Sequence, residues 1–266
     1  MSPPDPAADA GPVRDADLDH VRWHDLECGG YRADLELWRA MAADRSPGRI
    51  LDLGCGTGRV ALDLAGAGHE VLGLDIDPVL VAELRRRAAL RSLPAGATVG
   101  DAAAPRLAER FGLVLAPMQT IQLLGTAGRR GLLRALPRLL APGARAAIAL
   151  VEDVEPFDAG DALTVAPDMR DHEGTVYASR PVAVTVSGDG RIVLERVREI
   201  VGRDGERTVS GDRIALDVLP ADRLEDEARD AGLRVLERRE VPATEDHVAS
   251  AVVVLAAVEE QEPSDA

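Results

Sequence analysis

Six residues in the first half of the chain have the types and spacing to build one ligand site. Asp52, Gly54, Gly56 and Gly58 lie in the run Asp52-Leu-Gly-Cys-Gly-Thr-Gly58, Asp75 ends the run Val-Leu-Gly-Leu-Asp75, and Asp101 follows Gly100. Glycine has no Cβ, so a turn with glycine at alternate positions can bend sharply and let a ligand lie against its backbone. A carboxylate ending the neighbouring strand can accept both hydroxyl protons of a ribose. The chemistry this pattern suggests is the holding of a nucleoside between turn and acid.

The elements that must carry these residues read as alternating strand and helix. The apolar run 49–53 is a strand, and the glycine turn opens a helix through Val60, Leu62 and Leu64 that stops near Gly66 and Gly68. Residues 70–74 form the next strand, and Asp77-Pro78 starts a helix with Asp77 as its cap. Further strands are expected at 97–99, 111–116 and 145–151, with a helix over 129–140 stopped by Pro142-Gly143. Upstream, Leu35, Leu37, Trp38 and Met41 recur at helical spacing and predict a helix over 31–43. Strand and helix joined by short turns imply right-handed βαβ units and a parallel sheet. After Val151 the rhythm changes: 176–186, 191–201 and 206–218 are rich in Val and Ile and separated by glycine-containing turns, which predicts an antiparallel meander. A helix over 221–231 and strands at 234–241 and 247–258 return to the main layer.

The fold class expected is therefore α/β: a doubly wound, mostly parallel seven-stranded sheet with a terminal antiparallel strand and an inserted antiparallel β-meander after the fifth strand. Residues 1–18 and 259–266 read as disordered tails, 19–154 with 219–258 as the main domain, and 155–218 as the inserted sheet.

Composition removes several function classes. A net charge of −15 repels a phosphate backbone, and no run of Lys or Arg offsets it locally, so no nucleic acid partner is expected. Cys28 and Cys55 are the two cysteines; one sits inside the glycine turn, which argues against a disulfide scaffold and for a reducing compartment, the cytoplasm by default. No signal peptide and no membrane-length apolar run is seen, so no membrane partner is expected. The histidines and cysteines share no metal-ligand spacing, so no metal is expected. His20 and His24 are four apart and read as a solvated helix face. Trp23, Tyr31 and Trp38 are half of the six aromatics and suit either a core or a cover over a ligand.

Ligands of open α/β sheets bind beyond the carboxyl ends of the strands. Those ends carry Asp52 to Gly58, Asp75, Asp101, Pro117 to Gln119, and Glu152-Asp153, and four of the five contain a carboxylate. A group with positive charge or several hydroxyls fits such a rim better than a pyrophosphate does. Gly56-Thr-Gly58-Arg-Val-Ala61 also fits the dinucleotide form G-x-G-x-x-A, but an acid at position 52 stands where that fold has an apolar residue.

With its motif Asp52 to Gly58, then Asp75, then Gly100-Asp101, the chain resembles the class I S-adenosylmethionine-dependent methyltransferases, well over 31–151 and by pattern in the final helix and strands. The resemblance implies S-adenosyl-L-methionine as cofactor. It places Gly54, Gly56 and Gly58 by the methionine part, Asp75 on the ribose and Asp101 near the adenine amino group, with Asp52, Cys55, Ile76, Ala102 and Pro117 completing the cofactor site. Family members acting on nucleic acid bases carry Asn/Asp-Pro-Pro-aromatic after the fourth strand, whereas this chain has Ala116-Pro117-Met118-Gln119. A small-molecule methyl acceptor is therefore expected, with transfer to N or O by in-line displacement. The meander resembles the substrate-covering sheet of small-molecule methyltransferases. Gln119 and Tyr31 are the expected acceptor contacts, and Glu152, Asp153, His24 and Tyr31 the candidates for a general base. The alternatives are a noncatalytic S-adenosylmethionine-binding module and an NAD(P)-dependent oxidoreductase.

Overall fold

The computed structural model describes residues 15–44, 46, 48–152, 154–160, 166–245 and 247–258. In chain order, α1 (Asp15–Glu27) and α2 (Leu35–Ala43) precede β1 (Ile50–Leu53), α3 (Arg59–Gly66), β2 (Val71–Asp75), α4 (Pro78–Leu90), β3 (Ala95–Val99) and β4 (Phe111–Ala116). Then come α5 (Thr120–Leu123), α6 (Gly125–Leu139), β5 (Leu140–Leu150), β6 (Phe157–Asp158), β7 (Asp168–His172), β8 (Thr175–Val186), β9 (Arg191–Val201) and β10 (Arg207–Asp217). The chain closes with α7 (Ala221–Asp230), β11 (Leu233–Val241) and β12 (Ser250–Ala257).

Every residue of β1 and β4 is buried, as strands covered by helices on both faces require. They lie at the centre of a seven-stranded sheet of order β11-β12-β5-β4-β1-β2-β3, in which β12 runs antiparallel to both β5 and β11. Parallel pairing sets Asp52 beside Gly73 and Leu115, and Asp75 beside Val99. The carboxyl ends of β1, β2, β3 and β4 thus share one rim. One face of the sheet packs on Leu132, Leu136 and Leu139 of α6 and Leu224 and Ala228 of α7. The other packs on Trp38 and Met41 of α2, Leu64 of α3, and Val81 and Leu84 of α4.

A second, antiparallel sheet has the order β10-β9-β8-β6, with β7 also paired to β8. Helix α1 lies against it through a small cluster of Trp23, Leu26 and Tyr177, flanked by Ile200. Tyr177 also takes the Arg22 guanidinium (2.7 Å) and donates to Asp19 (2.5 Å), while Arg198 forks onto Glu27.

Some boundaries differ from the sequence reading. Residues 15–18, expected in the amino-terminal tail, are helical in α1, where Asp17 in the first turn sits favourably at the positive end of the helix. Residues 1–14 and 259–266 lie outside the described residues. Helix α2 begins at Leu35 rather than 31, because Asp34 turns its carboxylate onto Trp38 Nε1 (2.7 Å) and the Arg59 guanidinium. Pro142-Gly143 falls within β5, at a register shift opposite Phe111 and Leu113, and does not mark the helix end. The last strand begins at Ser250, not at 247.

Candidate active site

The turn between β1 and α3 holds Gly54, Gly56 and Gly58 at φ of 66°, 52° and 96°, all in the left-handed region that side-chain-bearing residues avoid. Each glycine also makes room for a different neighbour. A Cβ on Gly54 would come within 2.6 Å of Thr120 Oγ1, and one on Gly58 within 2.8 Å of Leu84 Cγ. A Cβ on Gly56 would overlap Nε2 and Cε1 of His24. The turn is therefore pressed between the segment after β4, helix α4 and helix α1.

Asp75 faces this turn. Its Oδ2 accepts the Gly56 N–H at 2.8 Å and its Oδ1 the Asp77 N–H at 3.0 Å. A carboxylate offers about four acceptor positions, so two directions stay open to a ligand. Asp77 caps α4 as its position implies, accepting from Val79 and Leu80. Beside Asp75, Ile76 is 71% exposed and presents a flat apolar surface at the rim. Asp101 is exposed, with Oδ1 accepting from the Ala103 N–H at 2.8 Å, and Ala102 is buried beneath it.

Asp52 is fully buried. Its carboxylate meets the Ala61 backbone N–H, yet Oδ1 has no hydrogen-bond partner among the described residues. Burial pushes its pKa up to about 7, against the pull of the Arg59 guanidinium. A buried acceptor left without a donor is costly, so this oxygen is the atom at the turn that gains most from a donor brought to it.

Cys55 is buried with its sulfur against Gly73, and burial raises its thiol pKa, so it fills space and does not react. Pro117 is buried and accepts from Thr120 Oγ1 at 2.9 Å, while Met118 adopts a φ of 54°. Gln119 is half-buried at the start of α5 and its side chain makes no cap bond there.

The histidine pair corrects the sequence reading. His20 is exposed and bonds Asp77 (2.7 Å), but His24 is not on a solvated face: it roofs Gly56, with Nδ1 3.4 Å from Thr57 Oγ1. Burial lowers its pKa, opposed by Asp25 and Asp75, and leaves a neutral imidazole at physiological pH. Arg87 and Thr57 hold Asp25 below its usual range despite burial, pinning α1 to α4 and the glycine turn.

Tyr31 is buried, stacks on His247 at 4.7 Å between ring centroids, lies under Arg59, and is hydrogen-bonded to Ser250. Burial raises its phenol pKa, which unsuits it as a base. Glu152 accepts from the Ala221 N–H at 2.7 Å and so caps α7, a use that needs no substrate. Asp153 lies outside the described residues. Trp38 is core, and Trp23 packs edge-on against Tyr177 at 5.1 Å.

Sequence reasoning missed Thr120, Arg59, Asp25 and Gln122. The Gln122 side chain bonds Val151 N and O and the Asp217 carbonyl, tying β5 to the end of the second sheet. Residues tens of positions apart leave no local signal of such contacts. Among the described residues, no group of three or more His, Cys, Asp or Glu is arranged to hold a metal, and no helix is long and apolar enough to cross a membrane.

Residues 50–143 match the family model described as a methyltransferase domain. Demethylmenaquinone methyltransferase of Thermus thermophilus is 42% identical over 80 residues, a stretch covering 28% of this chain and 36% of that protein. The chain thus aligns with only about a third of that relative's length. The CcbJ methyltransferase of Streptomyces caelestis superposes with a TM-score of 0.65 at 23% identity, covering 86% of this chain and 92% of the other. CalS10, described as an amino pentose methyltransferase from Micromonospora echinaspora and solved with S-adenosylmethionine bound, gives 0.64 at 20% identity over 92% and 99% of the two chains. The sugar N-methyltransferase KedS8 of Streptoalloteichus gives 0.63 at 19% identity over 96% and 98%. Residues 50–143 match a methyltransferase domain, and the chain as a whole shares the fold of these solved methyltransferases.

Proposed function

We propose that this protein moves the methyl group of S-adenosylmethionine to a nitrogen or oxygen of a small-molecule acceptor by in-line displacement at carbon. The observation that carries the reading is the buried, unpartnered Oδ1 of Asp52 beneath a glycine turn that Asp75 grips from the other side. These residues fit the cofactor: Asp52 would accept from the methionine ammonium, the turn would pass close to the methionine chain, Asp75 would take the ribose hydroxyls, and Asp101, with Ile76 and Ala102, would hold the adenine. When bound, the cofactor supplies a methyl group on a sulfonium whose thioether leaves without an acid. Much of the work left to the protein is alignment and exclusion of water.

An acceptor amine or hydroxyl must also lose a proton. Of the four candidates, Glu152 is engaged in capping and Tyr31 has a raised pKa, whereas His24 is a neutral imidazole beside the turn. We assign it the role of proton acceptor, with Gln119 contacting the acceptor. Residues 19–154 and 219–258 would form the catalytic domain, and 155–218 would cover the acceptor. The neighbours described as sugar N-methyltransferase and amino pentose methyltransferase support an amine on a sugar-sized molecule. Titration with S-adenosylhomocysteine, followed by a panel of amine and hydroxyl acceptors read by cofactor turnover, tests the proposal. No binding of S-adenosylhomocysteine would reject it; binding with no turnover on any acceptor would favour the noncatalytic module.

A further inference from the structure

In a chain of net charge −15, a cavity walled by arginines calls for a counter-charge. A groove of about 640 Å³ runs along α3 between α2, α4 and β7, and Arg32, Arg39, Arg59, Arg87, Arg91 and Arg170 line it together with two acids, Asp25 and Asp63. Three of these cations are neutralised. Arg39 pairs with Asp63, Arg59 with the buried Asp34, and Arg87 with Asp25 and Glu83.

The other three are not. Arg32 donates to the backbone carbonyls of Gly29 and Tyr31, and Arg32, Arg91 and Arg170 have no carboxylate within 4.0 Å among the described residues. They come from the α1–α2 loop, the end of α4 and strand β7, so it is the fold that gathers them. Unpaired charges of one sign lining a cleft concentrate field on whatever anion enters. A guanidinium presents paired donors that match phosphate or carboxylate oxygens two at a time. The volume is that of a small-molecule site, which runs from about 300 to 1,000 Å³. Thr57 and Gly58 of the glycine turn line its inner wall, while Gly54, Gly56, Asp75 and Asp101 do not, so the groove adjoins the turn on a side away from Asp75 and Asp101.

We propose that this groove binds a small polyanion, carrying phosphate or carboxylate groups at two or more positions, clamped by Arg32, Arg91 and Arg170. The site stands independently of the methyl-transfer reading. Calorimetric titration with inorganic pyrophosphate and, separately, citrate, at fixed ionic strength, tests it. Saturable one-to-one binding of at least one of them is expected. The double variant Arg91→Gln/Arg170→Gln, whose side chains are exposed, should weaken that binding by about tenfold or more. Its affinity for S-adenosylhomocysteine should stay within about twofold of the parent, since neither side chain belongs to the glycine turn or to the acids at the ends of β2 and β3. Stronger binding of pyrophosphate assigns the phosphate source and stronger binding of citrate the carboxylate source. Absence of binding by both probes, equal binding by the variant, or displacement of the probe by saturating S-adenosylhomocysteine would overturn the proposal.

Discussion

Binding of S-adenosylmethionine should expel a proton from Asp52. Burial holds this carboxyl at a pKa of about 7, so at pH 6 about 0.9 of the free protein carries a proton there. An ammonium brought to the unpartnered Oδ1 favours the anion, and an opposite charge in contact lowers a carboxylate by about 1–3 units. A drop to about 5 leaves about 0.1 protonated, a release of about 0.8 proton at pH 6 that shrinks to about 0.1 at pH 8. Calorimetry in buffers of different ionisation enthalpy reads this number as the slope of observed enthalpy against buffer enthalpy. Asp52→Asn should remove the slope, and His24→Gln controls for any share from the imidazole. A slope of zero in the parent at pH 6, or an unchanged slope in Asp52→Asn, would refute the assignment of Asp52 to the ammonium. The same group sets a pH dependence of the ligand-free fold. Its folded pKa lies above the ordinary 3.8, so its contribution is fully present below about pH 4 and is lost as pH rises through 7, a change of roughly 4 kcal/mol. Asp52→Asn should lack this component in denaturation curves across that window.

Gly56→Val should abolish S-adenosylhomocysteine binding, because φ is +52° and the side chain, blocked by His24, would force the backbone of the turn to move; unaltered affinity would mean that the shape of the turn does not matter to the ligand. Asp75→Ala should weaken cofactor binding by about 1.5–3 kcal/mol, the loss of charged hydrogen bonds, measured by titration calorimetry. Glu227→Ala strips two hydrogen bonds from the buried Arg129 and leaves it with Asp217, so unfolding free energy should fall by about 3 kcal/mol with cofactor affinity preserved in the folded fraction. His24→Gln should remove the acidic limb of the kcat/KM profile, which lies below the ordinary 6.5 of histidine, and leave cofactor affinity in place.

The parts of the fold legible in the sequence were those set by local pattern. A buried four-residue strand, glycines at alternate positions and an Asp-Pro helix start announce themselves in a few residues, and β1, the turn and the Asp77 cap stand where that pattern puts them. Helix α1 was less legible because polar and acidic residues interrupt its apolar ones, and its neighbours Tyr177 and Arg198 arrive more than 150 positions later. Reading His20 and His24 as a solvated pair followed from spacing alone; what buries His24 is a turn 32 residues downstream. Glu152 looked available to substrate because the amide it caps belongs to Ala221. Thr120 against Gly54 and the Arg129–Glu227 pair are products of topology and have no signature in composition or period.

Gln122 touches the chain where it leaves the main sheet at Val151 and again where it returns at Asp217, with bonds of 2.8–3.0 Å. Departure and return are thus fastened to a single amide group. A segment whose two ends meet in this way can change length at its far turns without altering the spacing of the strands on either side. For an engineer the far turns of that lobe, not its face against α1, are where sequence can be exchanged, since Tyr177, Ser179 and Arg198 hold the helix that carries His24 over the glycine turn.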